Sequence, residues 1–381
     1  MMHTPTTLRA IALSTLAATA AASCWSQSTV KIYGALDVYV ASQQASGTAS
    51  RKVLNSGFNP NLLGFTGTED LGGGLQAGFV LESQPVLDTG TVAQGGKFWG
   101  RQSLLFLSSS DYGRVSFGRI HTAGRTFAIK YTASGWLSTD PLGNLNLAAG
   151  TAMAPLLNVD TVGSRVSNAA LYETPRWAGA SLSVMQSAAE GGSFASGQAK
   201  LTQLGFGYTQ GAFTADAVYN RIPALAGSQF AQTDYAIGAQ YGFPSVRVMA
   251  SVFVHKAAAL AAPGATTAIA GSEGTDRIVV AGVSVPLGPH TVGASIGRLA
   301  VDDAHRGRRP ANLSAPFSTP VDDTTAWSLS YAYAFSRRTQ FFAAYGSLEN
   351  GAQGTVSLVG DLRPVAGGRS SMLASGMRHS F

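Results

Sequence analysis

The stretch "GASIG" at 293–297 satisfies the G-x-S-x-G pattern of a serine nucleophile. His290 stands just upstream, so a hydrolase pair of His290 and Ser295 is one reading. That motif works from a sharp strand-to-helix turn that lifts the hydroxyl clear of the backbone. Here Ser295 sits among Val292, Ala294 and Ile296 in a run with the pattern of a strand. No metal chemistry is spaced for: the six His are scattered without an H-x-x-x-H pair, and the chain has one Cys, Cys24. The Gly-rich "EDLGGGLQ" has no helical pattern behind it, so it reads as a tight turn rather than a phosphate cradle. "HRGRRP" at 305–310 is either a solvated loop or a contact for anionic lipid head groups. The other basic residues are spread out, the net charge is only +6, and no nucleic-acid motif is present. More regular are the charges of Lys31, Asp37 and Glu82, each lying opposite the apolar residues of an alternating segment.

Those segments carry the fold. In "VKIYGALDVYV", Val30, Ile32, Leu36, Val38 and Val40 share one face and Lys31, Tyr33, Asp37 and Tyr39 the other. "LQAGFVLESQ" sets Leu75, Ala77, Phe79 and Leu81 against Gln76, Glu82 and Gln84. "SVRVMASVFVH" opposes Val246, Val248, Ala250, Val252 and Val254 to Arg247, Ser251 and His255. "AWSLSYAYAF" opposes Trp327, Leu329, Tyr331, Tyr333 and Phe335 to small residues. Such period-two patterning marks strands with one apolar face. Charged residues are only 12%, about half the share of roughly 25% in soluble domains. No apolar run after the first 25 residues reaches the roughly 18 residues of a membrane helix. The hydrophobicity is therefore dealt out on alternate residues.

The connections sort by length. Seven are short, at 69–74, 110–113, 174–179, 210–212, 242–245, 286–289 and 336–338. Eight longer polar stretches lie between them, near 43–60, 85–98, 120–163, 188–198, 223–232, 257–275, 299–323 and 348–370. Strict alternation of short and long connections over sixteen strands predicts an all-β, closed, antiparallel transmembrane barrel. In lipid every backbone donor and acceptor must be paired inside the protein, so the sheet has to close on itself. The terminal "SSMLASGMRHSF" then becomes the closing strand beside the one that starts at Val30, with Leu373, Met377 and Phe381 turned to lipid. Trp177, Trp327, Tyr331 and Tyr333 suit the interfacial aromatic girdles.

Residues 1–26 read as a secretory signal, with Arg9 before the apolar "AIALSTLAATAAAS" and cleavage after Ser26. Cys24 would leave with it, and 27–381 would form the barrel. The rival reading is a lipoprotein signal with Cys24 lipidated.

Taken in order, these stretches resemble the Gram-negative general porins, in particular those of β-proteobacteria. "VKIYGALD", "LGFTGTEDLGGGLQAGFVLE", "GRQSLLFLSSSDYGRVSFGR", "RVSNAALYETPRWAGASLSV", "FSRRTQFFAAYG" and the terminal Phe381 carry the resemblance over the whole mature chain. It implies a sixteen-stranded outer-membrane barrel, usually a homotrimer, that passes small hydrophilic solutes and ions without a cofactor. It also implies an aromatic C-terminal residue, Phe381, read by the outer-membrane assembly machinery. The third long loop, 120–163, would fold inward, with Asp140 in "STDPLGNLN" as its acidic tip. Arg101 and Arg165 would face it from the wall. With Asp37 and Glu82 they form the expected constriction, and Lys31 and Arg119 complete the inward-facing set. Where relatives often carry an Arg before "LGF" and a Lys after it, this chain has Leu62 and Thr66, and Ala35 follows "IYG". These departures thin the basic wall and predict weak ion selectivity. Two other readings stay open: a barrel hydrolase using His290 and Ser295, and a barrel for adhesion or surface recognition through its long loops.

Overall fold

The computed structural model describes residues 29–133 except 56 and 58, then 139–141, 145, 165–188, 200–222, 232–257, 260–261, 268–269, 273–307, 320–358 and 362–381. Residues 1–26, expected to form a leader, and Cys24 among them lie outside the described residues. The first strands are β1 (Thr29–Ala45), β2 (Thr48–Asn55), β3 (Leu62–Gly72) and β4 (Leu75–Ser83), followed by the short β5 (Pro85–Val86) and β6 (Thr91–Val92). Then come β7 (Gln102–Ser109), β8 (Gly113–His121), helix α1 (Ala123–Lys130), β9 (Arg165–Glu173), β10 (Ala180–Ser187), β11 (Leu201–Gln210), β12 (Phe213–Ile222), β13 (Gln232–Gly242) and β14 (Arg247–Ala257). The chain continues through the short β15 (Leu260–Ala261) and β16 (Ala268–Ile269) to β17 (Gly274–Leu287), β18 (His290–Ala300), β19 (Thr324–Ala334), β20 (Thr339–Asn350) and β21 (Arg369–Ser380).

All long strands join one antiparallel sheet in sequence order, and β21 returns to pair with β1 from Ala35↔Ser380 to Ala45↔Ser370. Gly34 and Phe381 exchange both backbone hydrogen bonds, at 3.2 and 3.0 Å, and finish the seam. Seventeen segments make sixteen staves, because β2 and β3 lie end to end along β1. This corrects the loop expected at 43–60. β1 runs 17 residues, well past the roughly 9–11 that cross a bilayer. It turns back at Ser46 and Gly47, both at positive φ, so the ladder continues beyond the membrane. All seven short connections fall between neighbouring strands as the sequence predicts.

The outward residues of the alternating runs are solvent-accessible in the isolated chain: Ile237 is 65% exposed, Val30 61% and Leu329 53%. Their face is the one turned to lipid. The inner face is less uniformly polar than alternation suggests. Phe253, Ile278, Leu299 and Phe342 point inward and are fully buried. They form one apolar cluster with Phe127, Ala128, Tyr131, Ala133 and Leu145 of the third loop. The wall thus offers a greasy seat to chain that lies inside the barrel. No described helix is long and apolar enough to cross a membrane.

Candidate functional site

The described part of the third loop begins at Thr122, whose hydroxyl accepts from the Arg125 amide at 3.2 Å and caps α1. Phe127 and Ala128 bury one face of this short helix, and the Phe127 ring meets Phe253 edge-on with centroids 5.1 Å apart. Gly238 leaves room for it: a Cβ there would stand 2.8–2.9 Å from the Phe127 and Tyr131 rings. Polar ties fix the rest. The Ala123 amide donates to Gln203 Oε1 at 2.5 Å. Asp216 Oδ2 accepts from the Tyr131 hydroxyl at 2.5 Å and lies 2.6 Å from Lys130 Nζ. Further on, Ser295 donates to Asp140 Oδ2 at 3.0 Å. The loop is therefore tied to β11, β12 and β18, which span much of the circumference.

The Asp216 tie is the half-buried end of this anchor. Asp216→Ala removes the acceptor for two groups at the C-terminal end of α1 but leaves the apolar seat in place. We expect folded channels whose open-state current noise rises at least about twofold, read in single-channel records; a buried hydrogen bond of this kind contributes roughly 0.5–1.5 kcal/mol, more when charged.

Beside the start of the helix, side chains from β4, β8, β9 and their flanking segments gather. The Glu82 carboxylate accepts from Tyr33 Oη at 2.8 Å. It lies 3.5 Å from Arg101 Nε and 3.9 Å from His121 Nε2. Arg101 also donates to Gln84 Oε1 at 3.3 Å. A break in register between Gly118 and Ile120 marks where β8 and β9 leave the regular pleat. Such bulges re-aim side chains. Arg119 here donates to the Gly100 carbonyl at 2.6 Å and to Ser167 Oγ at 3.0 Å. Arg165 pairs in register with His121 and is fully buried. The guanidiniums of Arg125, Arg165, Arg101 and Arg119 all act on the His121 ring. Arg101 and His121 thus flank the Glu82 carboxylate, with Arg119, Arg125 and Arg165 gathered about the His121 ring.

The structure brings Arg101, Arg119, Arg165 and Glu82 of the predicted set into this cluster. Asp140 is placed elsewhere, docked on Ser295. Asp37 is inward and buried, but its carboxylate accepts the amides of Gly57 and Asn59 at 2.8 and 3.0 Å and clasps the segment between β2 and β3. Lys31 shares the inward parity of Asp37 at the exposed end of β1. Ser295 and His290 do not meet: Ser295 is buried on Asp140, while His290 bonds the Tyr331 hydroxyl at 2.8 Å in the exposed turn end of β18. They lie five residues apart on opposite faces of one strand, so no hydrolase pair forms.

Sequence reading missed His121, Arg125 and Arg378. Arg378 was legible: it shares the inward parity of Gly376 and Ser380, and both Asp37 and Arg101 act on it. Arg125 was not, because its helix interrupts the strand pattern and nothing in period two places it.

A family model described as Gram-negative porin matches residues 10–353. An outer membrane porin protein of Bordetella pertussis is 27% identical over 331 residues, covering 77% of this chain and 78% of the relative. Outer membrane porin protein 32 of Delftia acidovorans is 36% identical over 172 residues, 44% of this chain and 46% of its own. Among solved structures, an anion-selective porin from Comamonas acidovorans superposes with a TM-score of 0.73 at 23% identity, over 93% of this chain and 100% of that one. OmpT of Vibrio cholerae in its trimer form gives 0.62 at 12% identity, over 93% and 99%. At these identities the structural likeness is one of fold. The family match from residue 10 to 353, together with a closed sheet of sixteen staves, establishes that this chain belongs to the Gram-negative porins, the channels of the outer membrane.

Proposed function

We propose that the channel passes small hydrophilic solutes and ions passively and favours anions. The reading rests on the guanidiniums of Arg101, Arg119, Arg125 and Arg165 gathered about the His121 ring, with Glu82 beside Arg101. In a narrow, low-dielectric passage a few such charges dominate the potential felt by a passing ion. The Comamonas relative is an anion-selective porin, which points the same way. The preference is stronger than the thin wall at Ala35, Leu62 and Thr66 implies, because other strands and the loop helix contribute the guanidiniums. Asp140 and the loop that bears it narrow the passage from the opposite side, and Asp37 serves to hold the β2–β3 segment. Lys31 lines the periplasmic end.

The chain carries a cleaved leader over 1–26 and acts as a channel rather than an enzyme, a reading supported by the separation of Ser295, bonded to Asp140, from His290, bonded to Tyr331. It assembles as a homotrimer in outer-membrane lipid, a state recorded for the Vibrio relative. Phe381 is the residue recognised by the outer-membrane assembly machinery. Stepwise conductance in planar bilayers, with a reversal potential of anionic sign in a KCl gradient, is the expected result. Folded protein that gives no current steps rules out the channel, and a cationic reversal potential rules out the proposed preference.

A further inference from the structure

The long connections lie at one end of the barrel, the extracellular end. Two of them lock together there. Arg306, after β18, bonds through Nη1 to the Asp322 carboxylate across the same connection, and that nitrogen is 3.4 Å from Asp323 Oδ1. Its Nε donates to Asp303 Oδ1 at 3.2 Å and its Nη2 to the Val301 carbonyl at 3.1 Å. One guanidinium therefore holds both ends of the β18–β19 connection. Asp322 reaches the next connection as well: its Oδ2 accepts the Gln353 amide at 2.9 Å. Backbone bonds from Gly351 to Asp323, at 2.6 Å, and from Thr355 to Pro320, at 3.0 Å, run alongside.

The clasped segment of the β20–β21 connection is drawn inward. Val356 and Leu358 are buried with Val301 and Val321. The Leu358 carbonyl accepts from Gln43 Nε2 at 3.0 Å, which ties it to β1. Asn350 accepts the Val356 amide at 3.0 Å and donates back to its carbonyl at 2.9 Å. On the far side, the Asp302 amide donates to Asp276 Oδ1 at 2.9 Å and the His305 ring bonds the same carboxylate at 2.9 Å, which moors the connection to β17.

Resting on the channel reading above, we infer that Arg306 and Asp322 set the size limit of the extracellular mouth, a sieve separate from the interior cluster. Asp322 is only 3% exposed, and a buried carboxylate keeps its charge only while it is paired. The charged groups around it are Asp302, Asp303, His305 and Asp323 on its own connection, Asp276 on β17 and Arg298 on β18, the last 3.6 Å from Asp323. On the β20–β21 side the described charged residues are Glu349, Arg363 and Arg369, and the contact made from there to Asp322 is the uncharged Gln353 amide. Loss of Arg306 leaves several carboxylates crowded around one basic partner, and the connections part. Acid acts on the same clasp. Burial raises the Asp322 carboxyl, but the Gln353 and Asp323 amides and Arg306 override it and hold the group below its usual range. The amides of Thr275 and Ala304 hold Asp302 low too. A carboxyl lowered by folding stabilises the clasp at neutral pH, and that contribution is lost as pH falls through the lowered value, below about 4.

The test is exclusion of graded polyethylene glycols from single channels of the full chain in KCl, added from either side. Arg306→Ala should raise conductance about 1.5–2-fold and admit larger polymers from the extracellular side only, while Arg306→Lys stays near wild type. Wild-type channels taken stepwise from pH 7 to well below the usual carboxylate range should widen likewise, which carries the test if the Ala variant does not fold. Unchanged conductance and size limit in folded Arg306→Ala channels, or in the acidified wild type, would overturn the inference. Absence of any wild-type channel would instead remove the channel reading beneath it.

Discussion

Gly376→Val abolishes the folded barrel, seen as loss of the unboiled, fast-migrating form on cold gel electrophoresis and of the strand signal in circular dichroism. Gly376 pairs with Tyr39 across the seam where the sheet closes. A Cβ built there falls 2.2 Å from the Val38 carbonyl oxygen, 2.6 Å from Tyr39 Cβ and 2.7 Å from Tyr39 Cα. Overpacking that side chains can absorb costs about 1–3 kcal/mol, but these neighbours are main chain and the root of a buried ring. Tyr39 has nowhere to go, since its ring packs tilted on Phe342 with centroids 6.4 Å apart. The two strands must separate instead. Each backbone group then left unpaired in lipid costs several kcal/mol, so a single side chain propagates into loss of the closed sheet. Gly376→Ala meets the same atoms with its one carbon and should reduce the folded fraction to an intermediate level. A Val variant with wild-type heat-modifiability would show that the seam does not run through this pairing.

The second large effect is on ion selectivity. Arg101→Ala removes a guanidinium that is 4% exposed and leaves Glu82 without its basic neighbour at 3.5 Å. A unit charge about 8 Å from a passing ion is worth roughly 2 kcal/mol at an effective dielectric of about 20, and screening at about 0.1 M salt halves that. A change of about 1 kcal/mol moves a permeability ratio about fivefold. The chloride-to-potassium ratio, taken from reversal potentials in a KCl gradient, should fall by about that factor or more. Glu82→Gln should move it the opposite way, because it removes the carboxylate beside Arg101. Arg101→Lys should change it little, since the charge persists. An unchanged ratio in Arg101→Ala would place Arg101 off the ion path.

Both predictions draw on geometry that the sequence shows unequally. Gly376 lies in a terminal run whose parity is plain, and the need to close a sheet in lipid names its partner strand. The same logic placed Asp37 and Glu82 inward and set Leu373, Met377 and Phe381 on the outer face. Arg101 and Arg165 were reached through resemblance, and the bulge that re-aims Arg119 leaves no trace in an alternating pattern. Asp37 faced the right way, yet its partners turned out to be backbone amides supplied by the break between β2 and β3. One irregularity was visible without being understood: Met249 and Phe253 violate the polar rule of their face, as do Ile278, Leu299 and Phe342. They are the seat of the third loop.

The chain by itself determined that hydrophobicity falls on every second residue, that short turns alternate with long connections, and that the last strand must meet the first. Those features are local, or follow from the demand that lipid places on every backbone group. Only the tertiary structure decided which inward side chains meet. His121 is 39 residues from Glu82, Asp140 is 155 from Ser295 and Gln43 is 315 from Leu358. Parity tells a side chain which face to take, but its partner across the lumen is set by the closure of the sheet and by where each long connection comes to rest.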